Sequence, residues 1–118
     1  MKAMELKRIV KQIVRRNRWL SGLYDYMDGD PIAINESEEI FINEPVECRD
    51  LEELYNMLKT YDGVYKYKNL LFFNSYHYGV FVYDIRRPDH YIEHLSIEFM
   101  SFDRFADLVN KLLKRNIY

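Results

Sequence analysis

Cysteine, glutamine, threonine and tryptophan each occur once in this 118-residue chain, proline three times and glycine four times. With Cys48 alone, an internal disulfide framework is excluded, and a reducing, cytoplasmic setting is expected. Apolar runs are short, Leu70-Leu71-Phe72-Phe73 being typical, so no transmembrane segment is expected. The basic N-terminus lacks the apolar stretch and small-residue cleavage site of a signal peptide. Gly22, Gly29, Gly63 and Gly79 stand apart from one another, which excludes a glycine-rich phosphate-cradling loop.

What the chain does have is apolar and aromatic mass. Hydrophobic residues make up 48%, and eleven tyrosines, seven phenylalanines and the one tryptophan give 16% aromatics, enough to bury a core in one domain. Scarce Gln and Cys beside many Lys, Arg and Glu is the bias of heat-adapted proteins, and it points to a thermophilic archaeal or viral source. Five methionines and a supply of asparagines run against that bias. The net charge of −2 hides a segregation: residues 1–18 carry +6, residues 25–62 carry −10 and residues 63–118 carry +2. Such asymmetry suggests a polyanionic partner, or two oppositely charged surfaces that meet.

Periodicity predicts a long first helix over about residues 4–27. Leu6, Ile9, Val10, Ile13, Val14, Leu20, Leu23, Tyr24 and Met27 recur at the spacing of one buried stripe. Lys7, Lys11, Arg15 and Arg18 share the opposite side, with Arg8 adjoining. The Asp28-Gly29-Asp30-Pro31 cluster should stop the helix. Isoleucines two apart predict short strands at 31–34 and 39–43, and Pro45 should end their pairing. Asp50 followed by Glu53 is a capping-box signal for a second helix with the stripe Leu51, Leu54, Tyr55 and Leu58, stopped by Asp62-Gly63.

From Val64 to Met100 the chain reads as an antiparallel meander with strands at 70–73, 80–85 and 95–99. Ser101 caps a last helix, with Met100 and Phe105 placed as a hydrophobic staple and Phe102, Phe105, Leu108, Val109, Leu112 and Leu113 facing inward. The expectation is a single α+β domain over 1–118, in the order α-β-β-α-β-β-β-α. An antiparallel sheet of about four to five strands would pack with three amphipathic helices.

Several constellations bear on chemistry. The basic face of helix 1 has its cations one turn apart, the arrangement that tracks a phosphate backbone, and Trp19 beside Arg18 offers a stacking surface. A solvated helix face accounts for the same spacing. In Val64-Tyr65-Lys66-Tyr67-Lys68, a strand would place the tyrosines on one side and the lysines on the other, as core aromatics or as a base-stacking surface. His90-Tyr91-Ile92-Glu93-His94 fits an inverted zinc-peptidase pattern, but zinc chemistry needs it on a helix and the surrounding signals are those of a turn and strand. Asp25, Asp28 and Asp30 lack calcium-loop spacing, and Asp89 with Glu98 lacks the lysine of a nuclease site, its place being taken by Met100. Tyr55 with Lys59 superficially suggests a strand-nicking tyrosine, yet it falls in an apolar stripe. Cys48 has only Arg49 and a helix start nearby to activate it, so an inert thiol is expected.

The leading expectation is a non-catalytic nucleic-acid-binding domain using Lys7, Arg8, Lys11, Arg15, Arg18 and Trp19, with Lys66 and Lys68 as auxiliaries. The alternative is a protein-interaction or homo-oligomeric module whose basic helix pairs with an acidic surface carrying Glu36, Glu38, Glu39 and Glu44. A metal-dependent hydrolase or nuclease is a distant third. The expected partners are a nucleic acid and a second copy of the chain. No cofactor, metal, membrane or small-molecule substrate is expected.

Overall fold

The computed structural model describes residues 3–16, 45–75 and 79–115, with the side chains of residues 3, 4, 7, 14 and 15 outside that description. In chain order the elements are α1 (Ala3–Arg16), β1 (Val46–Glu47), α2 (Leu51–Thr60), β2 (Gly63–Tyr67), β3 (Leu70–Ser75), β4 (Gly79–Asp84), β5 (Glu93–Leu95), a 3-10 turn (Ile97–Phe99) and α3 (Phe102–Leu113). The fold is α+β. The strands form one sheet in the order β1-β2-β3-β4-β5, parallel between β1 and β2 and antiparallel elsewhere.

Local chemistry starts the helices where the sequence says it should. The Glu53 backbone N–H donates to Asp50 Oδ1 at 2.8 Å, and Glu53 Oε2 accepts from the Arg49 N–H at 3.4 Å, so the reciprocal half of the box reaches one residue further out. At α3 the Arg104 N–H donates to Ser101 Oγ at 3.3 Å. The far end of α2 is closed from the sheet: buried Asn74 on β3 donates through Nδ2 to the carbonyls of Leu58 and Tyr61, at 2.7 and 2.8 Å. Carbonyls in the last turn of a helix have no partner within it, so this amide replaces the missing donor.

Helices cover both faces of the sheet. Val10 and Ile13 of α1, with Leu6 and Ile9 beside them, pack on Val64, Leu71, Phe73, Phe81 and Tyr83. The opposite face, with Tyr65, Tyr67, Leu70, Phe72, Val80 and Val82, lies under Leu54 and Leu58 of α2 and Phe105, Val109 and Leu112 of α3. Strands covered on both sides need apolar residues at every position. That requirement explains the continuous run Leu70-Leu71-Phe72-Phe73.

The structure departs from the sequence reading at four places. A strand at Val46–Glu47 follows Pro45, which was expected to end pairing; it runs parallel to β2, with Val46 opposite Tyr65. β2 adds a fourth strand to the three expected between the last two helices. The strand expected over 95–99 ends at Leu95. Leu95, opposite Val80, is the last residue of β5, and the chain then turns into the 3-10 segment Ile97–Phe99. Phe99, which alternation placed beside Leu95 and Ile97, is 85% exposed as a result. Phe102, expected to face inward, is partly exposed and sets its ring edge-on to Tyr55. The strands expected at 31–34 and 39–43, and the first helix beyond Arg16, lie outside the described residues.

One buried hydroxyl gives a test of the α1 side of the core. Tyr83 is fully buried with its ring edge-on to Phe73, and its OH has no hydrogen-bond partner among the described residues. Burial first, and Tyr91 second, push its phenol up to about 12. Tyr83→Phe is therefore expected to leave stability unchanged or raise it by up to about 1 kcal/mol, read from the urea midpoint. A clear loss would mean that the hydroxyl is satisfied.

Candidate functional site

Of the cations singled out in the sequence, the side chains of Arg8, Lys11, Lys66 and Lys68 are among the described residues. On α1, Arg8 and Arg16 are exposed and Lys11 is half-buried. Arg16 Nη1 donates to Asp89 Oδ1 at 2.9 Å, fastening the end of α1 to the β4–β5 connection by a pair with both side chains more than half exposed. Exposed pairs of this kind add little stability, and their role is orientation. The side chains of Lys7 and Arg15, and all of Arg18 and Trp19, lie outside the described residues.

Lys66 lies on the sheet face shared with Val64, mostly buried, with Nζ 3.1 Å from Glu47 Oε1, so its charge is neutralised across the β1–β2 edge. Lys68 sits in the β2–β3 turn at φ 53°, a left-handed conformation uncommon for lysine, with Nζ 5.3 Å from the Tyr67 ring centroid. Tyr65 and Tyr67 alternate with Lys66 as expected, whereas Lys68 lies past the end of β2; both tyrosines are buried, so they cannot stack on bases. The Tyr65 OH donates to the Tyr61 carbonyl at 2.9 Å, and its phenol is raised to about 12 by burial, then by Cys48, Asp62 and Tyr61.

The remaining motifs resolve into structure. His90 falls in a bend, Glu93 opens β5, and His94 stacks on Phe81 with ring centroids 4.0 Å apart and planes 9° off parallel. Among the described residues no group of three or more His, Cys, Asp or Glu could hold a metal ion. Tyr55 donates its OH to the Met100 carbonyl at 2.6 Å and receives Lys59 Nζ at 3.3 Å, which joins α2 to the start of α3. Cys48 is buried. Desolvation, followed by Glu53, Glu47 and Asp50, lifts its thiol to about 11, which keeps it protonated and unreactive at neutral pH.

A cleft of about 270 Å³, which no sequence pattern signals, lies where the C-terminal end of α2 meets the 3-10 turn. Its walls include Lys59, Tyr61, Asp62, His94, Glu98 and Phe99. Gly79 lies beneath His94 at φ 87°, and a Cβ there would come within 3.0 Å of His94 Nε2 and the Leu95 carbonyl, so glycine is needed. Tyr61 and Phe99 are the two most exposed large apolar side chains among the described residues. Tyr61 stands out because it ends α2 while its carbonyl is held by Asn74 and Tyr65.

No protein-family model, curated protein or solved structure matches this chain. The functional reading therefore rests on its own residues. Among those described, no helix is long and apolar enough to cross a membrane.

Proposed function

We propose that this chain is a non-catalytic nucleic-acid-binding domain that holds phosphates along the outer side of α1, in a reducing cytoplasmic setting. The observation that carries the reading is the orientation of that helix. Leu6, Ile9, Val10 and Ile13 are laid on the chain's own sheet, so this described part of the apolar stripe is covered without a partner. Its polar side then faces outward, with Arg8, Gln12 and Arg16 exposed. The sequence spacing sets Lys7 and Arg15 one turn either side of Lys11. Cations at that interval match successive phosphates, and each contact releases counterions.

The test is fluorescence anisotropy with labelled single- and double-stranded oligonucleotides. Binding should fall steeply with salt, with a log–log slope of about −3 to −4 on duplex for roughly four phosphate contacts. Reversing two of them, in Lys11→Glu/Arg15→Glu, should reduce that slope by about two and weaken binding to every sequence alike. Flat titrations at low salt would overturn the reading. They would leave the charge segregation as a device for protein contact, with a salt-sensitive dimer as its signature.

A further inference from the structure

We propose that the cleft between α2 and the 3-10 turn receives one unpaired nucleobase, which stacks on Tyr61 or Phe99. The inference rests on the nucleic-acid reading but uses residues far in sequence from α1. Exposed aromatic residues scattered over a surface need no explanation. Here the two most exposed large apolar side chains among the described residues, Phe99 at 85% and Tyr61 at 61%, border the same cleft. Neither is left out by chance of sequence. Phe99 stands outward where the chain leaves β5 for the 3-10 turn, and Tyr61 is held at the end of α2 by hydrogen bonds to its carbonyl.

The rest of the lining suits a base rather than an apolar peptide. Asp62 and Glu98 supply acceptors for the N–H groups of a base edge, and Lys59 supplies a donor. An apolar side chain would leave those groups unpaired on binding. At about 270 Å³ the cleft lies just below the usual ligand-pocket range, roughly 300–1,000 Å³, which fits one ring system. In a duplex the bases are already stacked and paired, so the cleft should respond to single strands.

The experiment compares a labelled single-stranded 12-mer with its duplex, using the full chain and the variants Phe99→Ala, Tyr61→Ala, Phe99→Tyr and Tyr61→Phe. Because both side chains are exposed and the Tyr61 carbonyl survives substitution, the variants should keep the parent's thermal midpoint. The alanine variant that removes the stacking ring should bind the single strand about tenfold more weakly, in line with the loss of one stacking contact, and the other should bind as the parent does. Duplex affinity and the salt slope should stay unchanged, since no phosphate contact is removed. The aromatic replacements should bind as the parent does.

Alanine variants that bind the single strand like the parent would overturn the inference while leaving the α1 reading standing. Conversely, single-strand binding lost in Phe99→Ala but indifferent to Lys11→Glu/Arg15→Glu would support the cleft and overturn α1. A parent chain that binds neither strand would overturn both.

Discussion

Phe105→Ala is expected to lower the unfolding free energy by about 3–5 kcal/mol, the range for emptying a large aromatic site in a core. Phe105 is fully buried on the inner side of α3, its ring 5.4 Å from that of Tyr55 and 6.3 Å from that of Phe72. It thus joins three elements on that side of the sheet: its own α3, α2 through Tyr55, and β3 through Phe72. The surrounding side chains are fixed by two helices and a strand and cannot collapse into the space. Domains of this size have only about 5–15 kcal/mol in total. At roughly 4 °C per kcal/mol, the thermal midpoint should fall by about 10–20 °C. Phe105→Leu, which refills most of the volume, should cost less than about 1.5 kcal/mol. Equal losses in the two variants, followed by circular dichroism during heating, would show that packing is not the cause.

Asp84→Asn is expected to cost about 3 kcal/mol at neutral pH and to remove part of the acid sensitivity of the fold. The carboxylate is fully buried at the end of β4. Oδ1 accepts from the Arg86 backbone N–H at 2.9 Å and from its Nε at 3.0 Å. Oδ2 accepts from Arg86 Nη2 at 2.8 Å and from Asn69 Nδ2 at 3.0 Å. Asn69 belongs to the β2–β3 turn and its carbonyl also receives the Ile85 N–H, so one carboxylate closes this end of three strands. An amide of the same shape would turn one accepting oxygen into a donor facing donors. The estimate sits at the low end for a broken buried pair because Arg86 is half exposed.

The sign of the pH effect follows from the same contacts. Burial by itself raises the Asp84 carboxyl, but the hydrogen bonds from the Arg86 side chain and backbone, its charge and Asn69 outweigh that, leaving the carboxyl below its ordinary value. A depressed folded value gives stability that is fully present above the unfolded value of about 3.9 and is lost as pH falls through the folded one. Urea unfolding should show a gap between parent and Asp84→Asn that is widest at neutral pH and narrows in acid. A gap constant from neutral pH into strong acid would sink the linkage.

Much of the fold could be read from short-range signals. Asp50 and Ser101 cap α2 and α3 because capping joins a side chain to a backbone N–H three residues away. The stripe Leu6, Ile9, Val10 and Ile13 marks the buried side of α1 because helical geometry repeats locally. The candidate site was legible only in its basic half. Nothing in the sequence separates Phe99 from its buried neighbours Leu95 and Ile97, since the alternation is the same for all three. Nor does it separate Lys66, held by Glu47, from a lysine open to solvent.

By itself, the sequence determined the α+β class, the helix starts, the apolar faces and the separation of charge along the chain. The first three depend on residues within a few positions of one another, and the last is a count along the chain. Only the tertiary structure decided that α1 covers its own sheet, that β1 pairs parallel with β2, that Asp84 joins two turns, and that Tyr61 and Phe99 meet at one cleft. Those outcomes depend on which distant strand supplies a ladder partner and where that ladder ends, and no local pattern carries that information.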